Sequence, residues 1–193
     1  MKMSNTLLAL FAAAGLALSG ASMANTTKQA RDQAIKAADA QYKTDKAACN
    51  ALSGNAKDIC VEEAKGKEKV AKAEAKAGYE GTPKARESAR VARADAVYEV
   101  AKEKCDDLAG NAKDVCVKEA KAAHVKATAD AKVDRVASEN TTNSAAKTAD
   151  ARADAAQDKR DADYKVAVEK CDALSGNAKD VCVRDAKVRF GKS

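Results

Sequence analysis

The sequence lacks most of the side chains from which large apolar cores and catalytic sites are built. Its 193 residues include no tryptophan, one histidine, one proline, two phenylalanines and four tyrosines. Alanine occurs 48 times, whereas only 21 Val, Ile, Leu and Phe residues follow position 24. Burial free energy scales with apolar area, at about 25 cal/mol per Å². This composition therefore disfavours a single large core with a deep apolar pocket.

Motifs of catalytic and cofactor sites are missing as well. The sequence has no glycine-rich phosphate loop, and His124 alone cannot supply a Ser–His–Asp set. On a helix rich in alanine and lysine, this histidine is expected to be a solvated surface residue. Carboxylates are spread too evenly for one catalytic pair to stand out. We therefore predict that the protein is not an enzyme and has no catalytic, cofactor-binding or metal-binding residues.

The first 24 residues have the pattern of a secretory signal peptide. Lys2 gives a positive start, an apolar run of about 13 residues ends at Leu18, and the small residues Ser22 and Ala24 precede a cleavage point. The run is too short for a stable membrane-spanning helix, and no other stretch is apolar enough to cross a bilayer. We predict cleavage after Ala24 and a periplasmic mature chain, Asn25 to Ser193, without a transmembrane segment.

The charge pattern argues against a dedicated nucleic-acid binder. The chain has 35 Lys and Arg residues against 29 Asp and Glu, a net charge of +6 that falls to about +5 without Lys2. Positive and negative residues alternate at short range, whereas polyanion-binding proteins usually segregate their basic residues on one face. A solvated surface with ion pairs between residues i and i+4 is the favoured interpretation.

One sequence unit occurs three times. It opens at Tyr42, Tyr98 and Tyr164 and reads Y-x6-C-[ND]-x-L-[SA]-G-N-A-K-D-[IV]-C-V-x-[DE]-A-K. The first cysteines of successive units are 56 and 66 residues apart, so the unit keeps its length while the connectors differ. Such periodicity is typical of stacked supersecondary units. After the signal peptide (1–24), we predict one repeat in each of the ranges 25–80, 81–140 and 141–193.

Each unit has the pattern of a helix, a sharp turn and a second helix. The tyrosine, the first cysteine and the leucine are spaced by seven and three residues and so share one helical face. The glycine is expected to end the first helix in the left-handed conformation, and the asparagine that follows is expected to N-cap the second. A connection this short makes the helices antiparallel neighbours. The glycines and asparagines concerned are Gly54, Gly110, Gly176, Asn55, Asn111 and Asn177.

The cysteines lie at similar distances on either side of each turn. Antiparallel helices would bring their Cα atoms to roughly 4–5.5 Å, within the range of about 4.4–6.8 Å that disulfides need. A zinc site would usually need four ligands at closer spacing, and a redox pair is usually C-x-x-C. In an exported chain, we predict the disulfides Cys49–Cys60, Cys105–Cys116 and Cys171–Cys182.

The connectors continue the helical pattern apart from two polar breaks, at 78–83 and 138–144. The predicted fold class is all-α, with three disulfide-stapled antiparallel hairpins that are elongated or loosely bundled. Partly disordered connectors are the alternative, and alanine-rich helices could self-associate. The expected helices span residues 28–53, 56–77, 84–109, 112–137, 145–175 and 178–190.

The unit from Cys105 to Lys121, which recurs from Cys171 to Lys187, resembles repeats in uncharacterised exported proteins of Gram-negative bacteria. Some of these carry a cell-envelope or TolA-like description. The resemblance covers most of the mature chain and extends to the closing Phe190-Gly191-Lys192-Ser193. It implies a periplasmic helical protein and no catalytic residues. The chain departs from TolA because it lacks an uncleaved N-terminal membrane helix and has three cysteine hairpins.

Three functional hypotheses follow from these patterns. The first is a non-enzymatic periplasmic helical repeat protein with a structural, stress or interaction role at the cell envelope, whose partner is an unidentified envelope protein or polymer. The second is a polyanion or cell-wall polymer binder that uses Lys and Arg together with the repeated Tyr42, Tyr98 and Tyr164. The third is thiol-based redox chemistry or metal handling.

Overall fold

The computed structural model describes residues 26–139 and 142–192, so the predicted signal peptide lies outside the described residues. This part of the chain is built from α-helices, with a 3₁₀ turn at Cys49–Ala51 and no β-strand. The all-α prediction is confirmed. The helices are α1 (Lys28–Ala48), α2 (Gly54–Glu80), α3 (Pro83–Cys105), α4 (Gly110–Ala137), α5 (Ser144–Cys171) and α6 (Gly176–Phe190).

The helices form an open up-and-down row. Within the described ranges, each helix packs against the helix before it and the helix after it in the chain, and against no other. The row consists of the predicted hairpins α1–α2, α3–α4 and α5–α6, joined at two junctions, α2–α3 and α4–α5. Of the two predicted arrangements, this is the elongated one and not a bundle. Helices α1 and α6 are therefore the edges of the part of the row that the structure describes.

Most of the fully buried residues are alanines. Twelve of the buried hydrophobic residues are alanines, and the other three are the first cysteines of the hairpins. The leucines of the repeat are not part of this core, contrary to the predicted shared face. Leu52, Leu108 and Leu174 are 44–45% exposed, and Leu52 follows the end of its helix in an extended conformation. Small side chains thus allow close helix packing while burying little apolar area per residue.

The turn of each hairpin differs from the predicted one at its glycine. Gly54, Gly110 and Gly176 have φ of 54–56°, the left-handed conformation that glycine adopts without a steric penalty. Each nevertheless begins the second helix instead of ending the first. The preceding residue has extended backbone angles and occupies the N-cap position without a capping side-chain hydrogen bond.

The asparagine after this glycine joins neighbouring hairpins. Asn55 Nδ2 donates a hydrogen bond of 2.9 Å to the backbone oxygen of Glu103, near the end of α3. Asn111 Nδ2 makes the equivalent bond of 2.9 Å to Glu169, near the end of α5. The N-cap prediction for these asparagines is therefore wrong. In each case the side chain donates a second hydrogen bond to a carbonyl in the last turn of the first helix of the next repeat, and this carbonyl also accepts one from the backbone N–H three residues later.

These bonds predict unequal effects of asparagine substitution. Asn55→Ala and Asn111→Ala should each lower the free energy of unfolding by about 1 kcal/mol, the usual contribution of one hydrogen bond. Asn177 occupies the same position on α6 and is exposed. Within the described residues α6 packs only against α5, so Asn177→Ala should have almost no effect. Urea unfolding followed by circular dichroism measures all three variants. Equal effects at the three positions would contradict the inter-repeat role.

The two connections between hairpins are shorter than the predicted breaks. Helix α2 continues through Gly78 to Glu80, and the turn consists of Gly81 and Thr82. Gly81 has φ 64°, and the Thr82 hydroxyl oxygen accepts a 3.1 Å hydrogen bond from the backbone N–H of Ala85. Pro83 follows at the first helical position, which suits its fixed φ and its missing N–H. The described parts of the connectors are helical instead of disordered, with α4 ending at Ala137 and α5 beginning at Ser144.

Candidate interaction sites

All six cysteines are paired as predicted. Cys49–Cys60, Cys105–Cys116 and Cys171–Cys182 have Cα–Cα distances of 5.7, 5.6 and 5.7 Å. The first cysteine of each pair is buried, with exposures of 0%, 0% and 1%. The second cysteine of each pair is half-buried, and each disulfide closes the turn end of one hairpin.

The tyrosines that open the three units lie in equivalent places with different surroundings. All three are half-buried. The ring centroid of Tyr98 is 5.2 Å from that of His124, and the Tyr164 ring lies edge-on to Phe190 at 6.2 Å. No aromatic ring pairs with Tyr42 within the described residues. Two of these rings therefore contribute to the contact inside their own hairpin, and a role of the three tyrosines in polymer binding stays a prediction.

His124 is a member of the α3–α4 contact. Its Nε2 lies 2.6 Å from a carboxylate oxygen of Asp95, and its side chain is 26% exposed. The expectation of a solvated surface histidine is therefore wrong. The sequence could have indicated this contact, since Asp95 precedes Tyr98 by three residues and His124 occupies the position of Phe190 in the third repeat.

The equivalent aspartates of the other hairpins pair with lysines. Asp39 pairs with Lys72, and Asp161 lies 2.5 Å from Lys192. Hydrogen bonds from these ammonium groups lower the pKa of both carboxyls below the ordinary value of 3.8. A lowered pKa stabilises the fold fully above the ordinary value, and this stabilisation is lost as the pH falls through the folded-state value. These pairs therefore persist at neutral and mildly acidic pH.

An open groove with a volume of about 610 Å³ lies at the junction between α2 and α3. Its floor is formed by alanines and valines, including Val70 on α2 and Val97 and Val100 on α3. Val97 is 62% exposed, so it contributes apolar surface to the groove. One end of the groove is crossed by an ion pair between Glu74 and Arg93. We refer to this feature as the valine groove.

The opposite end of the valine groove is not closed by an ion pair. Glu63 on α2 and Lys104 on α3 both line it, but neither makes an ion pair within the described residues. Lys67 also lines this end and lies 3.8 Å from Asp45 of α1, with its side chain 70% exposed. The open end therefore has one unpaired ammonium group, one unpaired carboxylate and one loosely held lysine.

The second junction, between α4 and α5, is an internal comparison for the first. Each residue of α2 is equivalent to the residue 56 positions later, in α4, and each residue of α3 is equivalent to the residue 66 positions later, in α5. The three cross-groove pairs of the first junction are Glu63 and Lys104, Val70 and Val97, and Glu74 and Arg93. Their equivalents are all ion pairs, namely Glu119–Lys170 at 2.7 Å, Lys126–Asp163 at 2.6 Å and Asp130–Lys159 at 2.5 Å.

At the second junction a salt bridge crosses between the two helices at this position. At the first junction Val70 and Val97 make no such bridge, and the groove stays open. A separate cavity of about 220 Å³ between α4 and α5 does not include Lys126 or Asp163 and is therefore not the equivalent of the valine groove. Sequence reasoning missed the valine groove because Val70 and Val97 lie outside the repeated unit, in the connectors. The sequence does show that Val70 and Val97 stand where the second junction has Lys126 and Asp163. Recognising that the two valines face each other, however, requires knowing how α2 and α3 are aligned.

The described residues contain no group of three or more His, Cys, Asp or Glu residues placed to hold a metal ion, and none of their helices is long and apolar enough to span a membrane. No protein-family model matches the chain, and no curated protein or solved structure is significantly similar to it.

Proposed function

We propose that the chain is a non-enzymatic, exported helical repeat protein that acts at the periplasmic side of the cell envelope by binding another molecule. The observation that carries this proposal is the open row of helices stapled by one disulfide per hairpin. An open row leaves both of its faces accessible, as in other repeat proteins that use extended surfaces for recognition. Three disulfides suit a chain that folds in an oxidising compartment.

The two alternatives receive less support from the contacts. Redox exchange requires an accessible sulfur with thiolate character, and the first cysteine of every pair is buried. Polyanion binding requires available cations, whereas several lysines are held by carboxylates of a neighbouring helix, among them Lys126, Lys159 and Lys170.

Export and oxidation are tested together by producing the full-length chain in a Gram-negative host. We expect the protein in the periplasmic fraction, beginning at Asn25, with no thiol available to a trapping reagent added at lysis. A matched variant without residues 2–24 should remain in the cytoplasm with reduced cysteines. Cytoplasmic retention of the full-length chain, or free thiols in its periplasmic form, would contradict the proposal.

The envelope role has its own readout. In the producing bacterium, deletion of the chain should increase sensitivity to agents that stress the envelope, such as detergent or a metal chelator. The full-length chain should restore resistance, and the variant without residues 2–24 should not. Equal growth of the deletion strain under these conditions would argue against the role even if export is confirmed.

A further inference from the structure

We propose that the valine groove is a binding site for a monomeric, medium-chain anionic amphiphile such as a fatty acid. The tail would lie along the valines and alanines of the floor, and the carboxylate would lie at the open end beside Lys104. This proposal goes beyond the envelope role and does not depend on export, because it concerns only the folded, oxidised chain.

The dimensions of the groove suit an extended alkyl chain. Glu63 and Glu74 mark its two ends on α2 and are eleven residues apart, which corresponds to about 16 Å at 1.5 Å per residue. A dodecyl chain has a similar extended length. The volume of about 610 Å³ leaves room for the chain and for its contacts with Val70, Val97 and Val100. An open groove of this kind covers one side of the tail and leaves the head group in water.

The charges give the ligand a direction. The Glu74–Arg93 ion pair closes one end and leaves no free charge there. At the other end, the ammonium groups of Lys67 and Lys104 line the groove beside a single carboxylate, that of Glu63. Lys104 makes no ion pair within the described residues, whereas its equivalent, Lys170, lies 2.7 Å from Glu119. A ligand carboxylate beside Lys104 would supply the missing partner. Charge-assisted hydrogen bonds of this type are roughly twice as strong as neutral ones.

The second junction shows why the site is specific to the first. There the Lys126–Asp163 ion pair crosses the groove at 2.6 Å, so a tail could enter only by breaking it. At the first junction the equivalent residues are Val70 and Val97, which gain apolar contact from a tail. The chain should therefore bind one amphiphile and not two.

The test is calorimetric titration of the oxidised protein with dodecanoate below its micelle concentration. We expect one site, with affinity rising up to about fourfold per added methylene in a series of shorter to longer carboxylates. Dodecyltrimethylammonium, which has the same tail and the opposite charge, should bind at least about fivefold more weakly, and Lys104→Gln should reduce this difference.

Two matched double variants test the location. Val70→Lys with Val97→Asp copies the second junction into the first, so the variant should fold normally by circular dichroism and lose at least about tenfold in dodecanoate affinity. Lys126→Val with Asp163→Val opens the second groove and should raise the stoichiometry from one to two. Unchanged binding by the first variant, equal binding of the cationic probe, or no binding at all would overturn the proposal. Dimerisation without any probe, abolished by the first variant, would assign the groove to a second copy of the chain instead.

Discussion

Reduction of the three disulfides should unfold most of the helical structure at physiological temperature. Each disulfide joins cysteines eleven residues apart and closes a loop of twelve, which corresponds to roughly 2–3 kcal/mol of stability in the chain-entropy model. Three such loops together approach the entire free energy of unfolding of an ordinary domain, about 5–15 kcal/mol. An alanine core buries too little apolar area to compensate for that loss.

The measurement is thermal and urea unfolding followed by far-ultraviolet circular dichroism, with and without reductant. The position of each hairpin in the row adds a prediction that reductant alone cannot test. Cys171→Ser with Cys182→Ser should loosen mainly α6, which packs only on α5, whereas Cys105→Ser with Cys116→Ser should weaken both junctions. An unchanged unfolding midpoint after complete reduction, verified by thiol titration, would show that helix packing alone maintains the row.

The disulfides were predictable because their geometry is local. Cys49 and Cys60 are separated by one turn whose glycine and spacing are visible in the sequence, and the repeat assigns each cysteine its partner. The role of Asn55 was not predictable in this way. Its acceptor, the carbonyl of Glu103, is 48 residues away, and a local N-cap satisfies the same sequence pattern. Only the register between neighbouring repeats distinguishes the two interpretations.

The candidate binding site was harder to predict than the fold for the same reason. Each repeat specifies its own hairpin, but the valine groove is formed between helices of two different repeats. Val70 and Val97 are unremarkable as single residues on alanine-rich helices. They form a candidate site because they face each other across the first junction, whereas the second junction has Lys126 and Asp163 at the equivalent positions. Which residues face each other depends on how the helices pack in three dimensions.

Enlarging an alanine at a junction should destabilise the row more than enlarging an exposed one. Ala122 on α4 is 5% exposed and occupies the position of Gly66 on α2. A Cβ added at Gly66 would lie 2.9 Å from that of Ala96, which shows how closely α2 and α3 approach. We expect Ala122→Val to lower the free energy of unfolding by about 2–3 kcal/mol, because overpacking costs about 1–3 kcal/mol and valine has the lower helix propensity.

The chain offers matched controls for this prediction. Ala123→Val places the same side chain one residue away on an exposed part of α4 and should cost only the propensity difference, below about 0.7 kcal/mol. Val188 occupies the equivalent position on α6, where it is 77% exposed, and Val188→Ala should change stability by less than about 0.5 kcal/mol. Equal losses for the two alanine variants in urea unfolding would contradict the close junction. The presence of valine at position 188 is consistent with the same argument, since within the described residues α6 packs only against α5 and no second helix requires a small side chain there.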